Sequence, residues 1–395
     1  MRILRDEGSH AVLYDTTNLK FDVLDQKPWP DHESYRLGRP RRLGSLVPSA
    51  PIRIYWEMTR HCNLTCTHCF VTSSPQLPMG MPTDELMRML REMHKIGVIE
   101  LRLTGGEVTT RPDWFDLLRE AKQLGFVLSL NTNAVYQHPD KTIGELSQLG
   151  LDQVTVSLDG LRDAHDSIRG DGMFEKAFAA LRTMRAAGIR TRVNCVLTSL
   201  NIKDALELFD QCKPFVEEIN FFWMRPVGRG RKLMNRMIDF ETYQASADQI
   251  LGAQSITDVR IMHREKAIEE QSIRSPANAC IDRQKIVRSL PGGFTNMSIS
   301  ADGGYWIHGY NMYQDRRLCF GRFPDDLESA WLDAPVLATL RKWQDALLVR
   351  CSACEIFGVT CPGDNLEMEV AVQLGVLDQN PYCTNDSAVP RLELL

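Results

Sequence analysis

Cys62, Cys66 and Cys69 lie within eight residues of one another, and their spacing is typical of metal ligands. The 395-residue chain has eleven cysteines, and its first ten residues lack the apolar run of a secretion signal. Disulfides are therefore poor candidates, and metal ligation is favoured. Three thiolates suit a four-iron cluster that leaves one iron open to a ligand. A zinc site completed by His68 is the alternative.

A second group of cysteines near the C-terminus supplies four further thiols, those of Cys351, Cys354, Cys361 and Cys383. Four thiolates are enough to close either a four-iron cluster or a zinc site. Taken alone, two cysteines separated by two residues favour zinc. The sequence therefore predicts a second metal centre and leaves its metal open.

The elements that must position the first group alternate between strands and helices from residue 51 to about residue 227. Segments with helical periodicity separate six apolar runs that predict strands: residues 52–56, 99–103, 126–130, 153–158, 192–197 and 219–223. Short connections between such units require a parallel sheet with helices outside it. We therefore predict an α/β fold with a partial (β/α)6 TIM-like barrel, whose interior we expect to be apolar. The cysteines follow its first strand, at the strand end where such barrels carry their chemistry.

The segments on either side of this core differ from it in composition and periodicity. Residues 1–50 are rich in arginine, proline and polar residues and are interpreted as an N-terminal extension. Beyond about residue 275 the chain is rich in glycine and cysteine, with helical periodicity only at 327–348. The predicted domains are thus 1–50, a core at 51–274 and a smaller Cys-rich domain at 275–395.

Several motifs in the core resemble those of the radical SAM enzymes. The family's CX3CX2C motif stands here as the three clustered cysteines, and Thr104-Gly105-Gly106-Glu107 follows the second predicted strand, as the family's GGE motif does. Thr132-Asn133 ends the third strand. Ser157-Leu158-Asp159-Gly160 ends the fourth and is followed by His165 and Arg169, similar to the family's S-x-D-G segment with its downstream arginine.

The resemblance implies S-adenosylmethionine and a [4Fe-4S] cluster as cofactors. The family's roles carry over as follows: Gly105, Gly106 and Glu107 hold the amino group of the cofactor, Asn133 lies below it, Ser157 contacts the ribose, Arg169 pairs with the carboxylate, and the backbone of His68 reads the adenine. Two glycines allow close backbone approach, and a carboxylate suits an ammonium group. The implied reaction is reductive cleavage of the cofactor to a 5′-deoxyadenosyl radical that abstracts a substrate hydrogen.

The C-terminal segment resembles a SPASM or related twitch domain, whose cysteines bind auxiliary [4Fe-4S] clusters. Residues 299–303 are similar to that domain's hairpin entry, and Pro381-Tyr382-Cys383 to its closing cysteine. The pattern departs where His308 and Asn365 stand in place of cysteines. Cys280 and Cys319 are candidates for the remaining ligands, with His308 or Asp364 as substitutes.

A basic run follows the sixth predicted strand and contains five cations and no acid: Arg225, Arg229, Arg231, Lys232 and Arg236. It is either a solvated loop or an anion-binding rim that Arg36, Arg39, Arg41 and Arg42 extend. A rim of this kind suits an acidic peptide or a carboxylated small molecule as substrate.

Composition limits the classes of function. Apolar residues make up 43% of the chain and the net charge is −5, which disfavours nonspecific binding to nucleic acid or anionic lipid. No stretch approaches the ~18 apolar residues of a membrane helix, so we expect a cytoplasmic protein without nucleic-acid or membrane partners.

Three functional hypotheses follow. The main one is a radical SAM enzyme that modifies a ribosomal peptide or a protein side chain, with flavodoxin or ferredoxin as electron donor and a separate leader-peptide-binding protein as a further partner. The second is a small-molecule enzyme, similar to those that modify tetrapyrrole side chains in haem and haem d1 synthesis. The third is a non-catalytic Fe–S or zinc protein, which leaves the Gly-Gly-Glu and Ser-x-Asp-Gly placements unexplained.

Overall fold

The computed structural model describes residues 1–7, 11–24, 34–37, 47–253, 260–263, 292–351 and 372–373. Within these residues the strands form two sheets, one of four strands and one of ten. The first is built from the N-terminal residues, and the second contains all six strands that the sequence predicts.

The N-terminal sheet was not predicted. It consists of β1 (Arg2–Asp6), β2 (Ala11–Asp15), β3 (Lys20–Leu24) and β4 (Ser34–Leu37), in the order β3-β2-β1-β4. Apolar side chains of this sheet, such as Ile3 and Val12, pack against Ile52, Ile99 and Val127 at the N-terminal ends of the core strands. The N-terminal sheet therefore covers the end of the core that lies opposite the cysteine loop.

Arg5 fastens this sheet to the core. It is fully buried and donates hydrogen bonds to the carbonyl oxygens of Ala50 (2.9 Å), Pro51 (3.2 Å) and Gly97 (2.8 Å). Its charge is balanced by Glu7, 2.7 Å away. A buried guanidinium is tolerated here because each side of its planar fork has an acceptor.

The core sheet is parallel and follows sequence order through its six predicted strands: β5 (Arg53–Glu57), β6 (Glu100–Thr104), β7 (Val127–Thr132), β8 (Gln153–Ser157), β9 (Thr191–Leu197) and β10 (Glu218–Trp223). The helices that connect them and follow β10 are α1 (Thr83–Lys95), α2 (Trp114–Gln123), α3 (Pro139–Leu149), α4 (Arg162–Arg169), α5 (Met173–Ala186), α6 (Ala205–Cys212) and α7 (Phe240–Gly252). The predicted α/β fold with successive parallel strands is thereby confirmed.

The same sheet continues beyond these six strands at both edges. β11 (Arg260–His263) adds parallel to β10, and β12 (Asn296–Ile299) adds parallel to β5. The hairpin strands β13 (Gly304–Trp306) and β14 (Cys319–Arg322) extend the β12 side. Residues from both predicted domains share one hydrophobic core. The predicted boundary at 274–275 lies outside the described residues and stays a prediction.

The predicted C-terminal helix is divided in two. Helix α8 (Leu327–Asp333) ends before Ala334, and α9 (Pro335–Cys351) begins at a proline. Proline is favoured in the first turn of a helix and interrupts a continuing one, because it lacks the backbone N–H.

The prediction of an apolar barrel interior is wrong. Strand residues that face the helices are apolar, as in Ile54, Trp56, Leu101 and Leu103. Alternate residues, which face away from the helices into the interior, are polar in register across the sheet: Arg53, Tyr55, Glu100, Arg102, Gln153, Thr155, Arg192, Asn194, Glu218 and Asn220.

These interior charges are tolerated because they are paired. Arg192 lies 2.6 Å from Glu218, and Glu100 accepts hydrogen bonds from Arg53 and Arg102. Burial acts to raise the pKa of Glu100, but Arg102 and Arg53 outweigh it and lower that pKa to about 2.

Candidate functional site

The loop that follows β5 carries the three clustered cysteines. The side chains of Cys62 and Cys66 are buried, and that of Cys69 is partly exposed. Burial raises the pKa of Cys62 to about 12 and also raises the pKa of Cys66; the neighbouring thiols Cys66 and Cys69 add to the effect at Cys62. The Cys62 and Cys66 thiols therefore keep their protons at neutral pH unless a bound cation displaces them.

The Gly-Gly-Glu segment packs directly on the backbone of this cysteine loop. The Gly106 N–H donates to the Thr59 carbonyl oxygen at 2.6 Å, and the Glu107 N–H donates to that of His61 at 2.9 Å. A methyl carbon added at Gly106 would lie 2.0 Å from the His61 carbonyl oxygen, and one at Gly105 would lie 2.6 Å from that of Thr59. Both glycines are therefore required by the contact between the two loops.

Glu107 links the ends of the second and third core strands. One carboxylate oxygen accepts from the backbone N–H (3.3 Å) and the hydroxyl (2.8 Å) of Thr109, and the other accepts from the Thr132 hydroxyl (3.0 Å) and the Asn133 N–H (2.8 Å). Burial raises its pKa. A carboxylate has about four acceptor positions. Protein donors occupy all of them here, so this carboxylate holds the two loops, and its predicted contact with a cofactor stays a prediction.

Asn133 reaches the cysteine loop from the third strand. Its side-chain amide donates to Asn63 Oδ1 at 2.8 Å and lies 3.8 Å from the Cys62 sulfur, while Asn63 donates to the Val135 carbonyl oxygen at 2.6 Å. Sequence reasoning missed Asn63, although its place between two of the cysteines was a signal.

Asp159 is the centre of the largest polar cluster at the fourth strand end, and it too was not singled out as a site residue. Its fully buried carboxylate pairs with Arg169 Nε at 2.7 Å and His68 Nε2 at 3.1 Å, and it accepts from the Val196 N–H at 2.9 Å. Burial acts to raise the pKa of Asp159, but Arg169 and His68 outweigh it and hold that pKa well below its usual range. The acid of the Ser-x-Asp-Gly segment was the signal for this role.

Arg169 and His165 flank this carboxylate. Arg169 also lies 3.8 Å from the Cys66 sulfur through Nη1. Burial and Arg169 lower the pKa of His165 to about 4, and its Nδ1 accepts from the Asp159 N–H at 3.1 Å, so the ring is neutral. Ser157 ends β8 and pairs in register with Asn194 on the interior face.

The five cations of the basic run do not form a single rim. Arg225 is buried, with its guanidinium 5.8 Å from the centre of the Tyr310 ring. Arg229 donates to the carbonyl oxygens of Cys66 (2.8 Å) and Ser73 (2.9 Å). Arg231 and Lys232 are exposed, and Arg236 is partly exposed. Backbone carbonyl oxygens on the cysteine loop draw Arg229 inward, and no spacing rule could indicate this.

The structure describes only some of the C-terminal residues for which a role was predicted. The predicted hairpin entry is present as the turn between β12 and β13, where the Ser300 N–H donates to the Gly304 carbonyl oxygen at 2.9 Å. The Cys319 thiol donates to the Gly321 carbonyl oxygen at 3.1 Å, and His308 Nδ1 accepts from the Tyr310 N–H at 3.2 Å. Cys351 ends α9. The following predicted residues lie outside the described ones: Arg39, Arg41, Arg42, Cys280, Cys354, Cys361, Asp364, Asn365 and Cys383. Arg36 lies in β4.

Among the described residues, no three or more His, Cys, Asp or Glu side chains are arranged to hold a metal ion. A four-iron cluster takes each thiolate on a separate iron and so does not require such convergence.

Comparison with known proteins identifies the domain that carries these motifs. Residues 56–212 match the family model of the radical SAM superfamily, and this segment contains the cysteine loop and every motif described above for the first four strands. The chain contains a radical SAM domain. It is therefore an enzyme, and enzymes of this superfamily typically use S-adenosylmethionine with a [4Fe-4S] cluster.

Relatives of this radical SAM enzyme include a heme synthase and a maturase. It is 27% identical to the AdoMet-dependent heme synthase of Methanosarcina barkeri over 85% of this chain and 97% of that protein. It is 31% identical to the mycofactocin maturase MftC of Mycobacterium tuberculosis over 46% of each chain, and so spans about half the length of that maturase in the match.

A solved structure extends the likeness of fold to nearly the whole chain. Streptococcus suis SuiB bound to its precursor peptide SuiA matches with a TM-score of 0.73 and 17% identity, over 98% of this chain and 99% of that one. At this identity the match supports the fold alone. In the described part of the radical SAM enzyme, no helix is both long and apolar enough to span a bilayer.

Proposed function

We propose that Cys62, Cys66 and Cys69 bind the [4Fe-4S] cluster, with S-adenosylmethionine at its open iron, and that the substrate is a ribosomal peptide or a protein side chain. The observation that carries the cofactor site is that three coupled thiols lie on one loop held by the Gly-Gly-Glu segment. Buried polar atoms without partners among the described residues lie beside this loop, on His68 Nδ1 and Arg229 Nη2.

The cofactor contacts are proposed residue by residue. The Gly105–Glu107 segment, Asn133 and Arg169 each contact the cysteine loop, and His68 lies on that loop and pairs with Asp159. Ser157 ends β8, two residues before Asp159. Asp159 orients both Arg169 and His68, because its buried carboxylate pairs with both. These residues would hold the cofactor's amino, ribose, carboxylate and adenine groups as the family's motifs do.

A [4Fe-4S] cluster held by Cys62, Cys66 and Cys69 would supply the electron for reductive cleavage of bound S-adenosylmethionine. The chain's own residues exclude water and hold groups in place. Cys62 and Cys66 are less than one-tenth exposed, and Glu107 and Asp159 are fully buried. Such a dry, preorganised site favours hydrogen abstraction over side reactions.

The auxiliary centre is part of the proposal. Cys351, Cys354, Cys361 and Cys383 would bind at least one auxiliary [4Fe-4S] cluster, and Cys280 and Cys319 are further ligand candidates with His308 or Asp364. Support comes from the β12–β13 hairpin, which resembles the SPASM hairpin and is paired directly with the first core strand.

A peptide substrate is supported by the similarity to MftC, a maturase by name, and by a fold shared with SuiB, whose structure holds a precursor peptide. Arg231, Lys232 and Arg236 remain candidates for an anion-binding surface at the mouth of the site, whereas Arg225 and Arg229 face inward. Flavodoxin or ferredoxin would supply electrons, and a separate protein would bind a leader peptide.

A tetrapyrrole is the second candidate substrate. The similarity to a heme synthase covers nearly all of that protein, which favours a small, carboxylated substrate. The inward-facing arginines of the core strands do not add to this case, because Arg53 and Arg102 pair with Glu100 and Arg192 pairs with Glu218.

The test begins with anaerobic reconstitution and reduction in the presence of S-adenosylmethionine. We expect formation of 5′-deoxyadenosine by the wild-type protein and none by the Cys66→Ala variant. Equal rates from both proteins would refute the cluster assignment. Iron analysis should give about 8 irons per chain for two four-iron clusters. A value near 4 with stoichiometric zinc would show that the auxiliary centre is a zinc site.

The substrate is tested with the same protein. Peptides encoded beside this gene and an iron porphyrin with propionate side chains are each supplied in deuterated form. Deuterium should appear in 5′-deoxyadenosine with the peptides. Its appearance only with the porphyrin would select the second candidate.

A further inference from the structure

The turn after the sixth core strand packs on the cysteine loop at Cys69 and Phe70, whereas the Gly-Gly-Glu segment packs at residues 59–62. It is a 3-10 turn at Gly228–Arg236. Gly228 has a φ of +57°, and an added methyl carbon there would lie 2.2 Å from the Phe70 carbonyl oxygen. The Arg229 N–H then donates to the Cys69 carbonyl oxygen at 3.0 Å. The cysteine loop is therefore held between two segments that are more than 100 residues apart in sequence.

The Arg229 side chain continues this contact. Its Nε donates to the Cys66 carbonyl oxygen at 2.8 Å, and its Nη1 donates to the Ser73 carbonyl oxygen at 2.9 Å. One residue thus binds the backbone of Cys66 and Cys69, two of the three proposed ligand residues. A rigid guanidinium fork can hold both acceptors at once, which a lysine ammonium on a flexible stem does less well.

The charge of Arg229 is not cancelled nearby. Within the part of the chain that the structure describes, its side-chain partners are carbonyl oxygens, and no carboxylate forms an ion pair with it. Arg169, the other cation beside Cys66, pairs with the buried carboxylate of Asp159 at 2.7 Å. Arg229 also has a buried Nη2 without a partner in the described region. It therefore contributes a positive charge beside the thiols that no carboxylate among the described residues pairs with.

We propose that Arg229 is a positioning residue for the cluster, which fixes the cysteine loop and raises the reduction potential of the bound cluster. Reduction adds one negative charge to a group already ligated by thiolates, and a nearby uncompensated cation stabilises the reduced form more than the oxidised form. This inference rests on the proposed cluster site at Cys62, Cys66 and Cys69. It places Arg229 at the cofactor site, whereas the sequence predicted it in an anion-binding rim for the substrate.

The experiment compares three variants of the full chain after anaerobic reconstitution. Arg229→Gln removes the charge, Arg229→Lys keeps it without the fork, and Arg231→Gln removes an equal charge from an exposed position two residues away. Iron content is measured first, and the midpoint potential is then followed by the electron paramagnetic resonance signal of the reduced cluster. Each variant also carries Cys351→Ala, which reduces the overlapping electron paramagnetic resonance signal of the proposed auxiliary cluster.

We expect Arg229→Gln to shift the potential negatively, so that the reduced-to-oxidised ratio at a fixed potential falls about tenfold, or ~59 mV for one electron. Arg229→Lys should keep a potential near that of the wild type but lose iron faster under a chelator. Arg231→Gln should match the wild type in both measurements. If Arg229→Gln binds no iron, the comparison of Arg229→Lys with Arg231→Gln under the chelator decides the positioning role.

Two results would overturn the inference: an Arg229→Gln potential equal to that of Arg231→Gln, or Arg229→Lys and Arg231→Gln proteins that release iron equally slowly. Failure of the proposed function looks different, because the wild-type protein itself would then hold no redox-active cluster at the three cysteines, and Cys66→Ala would change neither iron content nor signal.

Discussion

Gly106→Ala should damage the cofactor site through the backbone alone. The added methyl carbon would lie 2.0 Å from the His61 carbonyl oxygen and 2.8 Å from the Cys62 Cβ, well inside van der Waals contact. Two hydrogen bonds hold these loops together, from Gly106 to Thr59 and from Glu107 to His61. Overpacking costs ~1–3 kcal/mol and each lost bond ~1 kcal/mol. We therefore expect the free energy of unfolding to fall by about 3–5 kcal/mol.

The control for this change is Gly144→Ala. Gly144 lies within α3, and an added methyl carbon there meets no atom within 4 Å. Alanine is favoured over glycine inside a helix by ~1 kcal/mol, so this variant should be slightly stabilised. Urea denaturation measures the stability of both variants, and iron content after reconstitution reports the state of the cysteine loop.

The two outcomes are well separated. The structure predicts a destabilised Gly106→Ala protein with little bound iron and a Gly144→Ala protein with the iron content of the wild type. If Gly106→Ala unfolds within ~1 kcal/mol of the wild type and binds iron fully, the close contact between the two loops is refuted.

Two other predictions concern buried charges. Burial raises the pKa of Glu57 from 4.5 to about 7, although hydrogen bonds from Tyr313 and the Ala301 N–H act to lower it. The folded protein thus holds this proton more tightly than the unfolded chain does. The free energy of unfolding should therefore fall by up to about 3 kcal/mol as pH rises from about 4.5 through 7. Urea denaturation at pH 5 and pH 8 should show this loss in the wild type and not in Glu57→Gln, and an equal loss in both would contradict the assignment. Arg5→Ala should destabilise the fold by ~3–5 kcal/mol, because it leaves the buried Glu7 with the Ser49 N–H but without its charged partner, and leaves three carbonyl oxygens without the Arg5 donor. Limited proteolysis should then cut first between the N-terminal sheet and β5, and a protease pattern like that of Arg2→Ala, an exposed position in the same strand, would refute this role.

Sequence indicated the core of this protein because the signals there are local. A strand of alternating or continuous apolar residues, a helix with a 3.6-residue period and a terminating glycine are each encoded within about fifteen residues. The same is true of the cysteine spacing and of Gly-Gly-Glu directly after a strand. Since parallel strands end at one edge of a sheet, the motifs at those ends could be expected to meet there.

The N-terminal sheet shows where local signals fail. Its first strand begins with Arg2 and contains Arg5, and the sequence around them was interpreted as a polar extension. Arg5 is buried only because carbonyl oxygens of residues 50, 51 and 97 surround it. The alternation of polar residues along the core strands was visible in the sequence, but which face pointed into the barrel depended on where the helices packed.

Residue spacing was enough to predict the order of strands and helices from β5 to β10, the radical SAM motifs and the loop that carries the three cysteines. Only the tertiary structure shows which charged side chains contact that loop. Arg229 and Arg231 are both arginines of one short turn, yet Arg229 turns inward to carbonyl oxygens of Cys66 and Ser73, more than 150 residues earlier, and Arg231 remains exposed. The physical reason is that the position of a hydrogen-bond acceptor in space is set by the packing of distant elements, whereas residue spacing encodes only what is near along the chain.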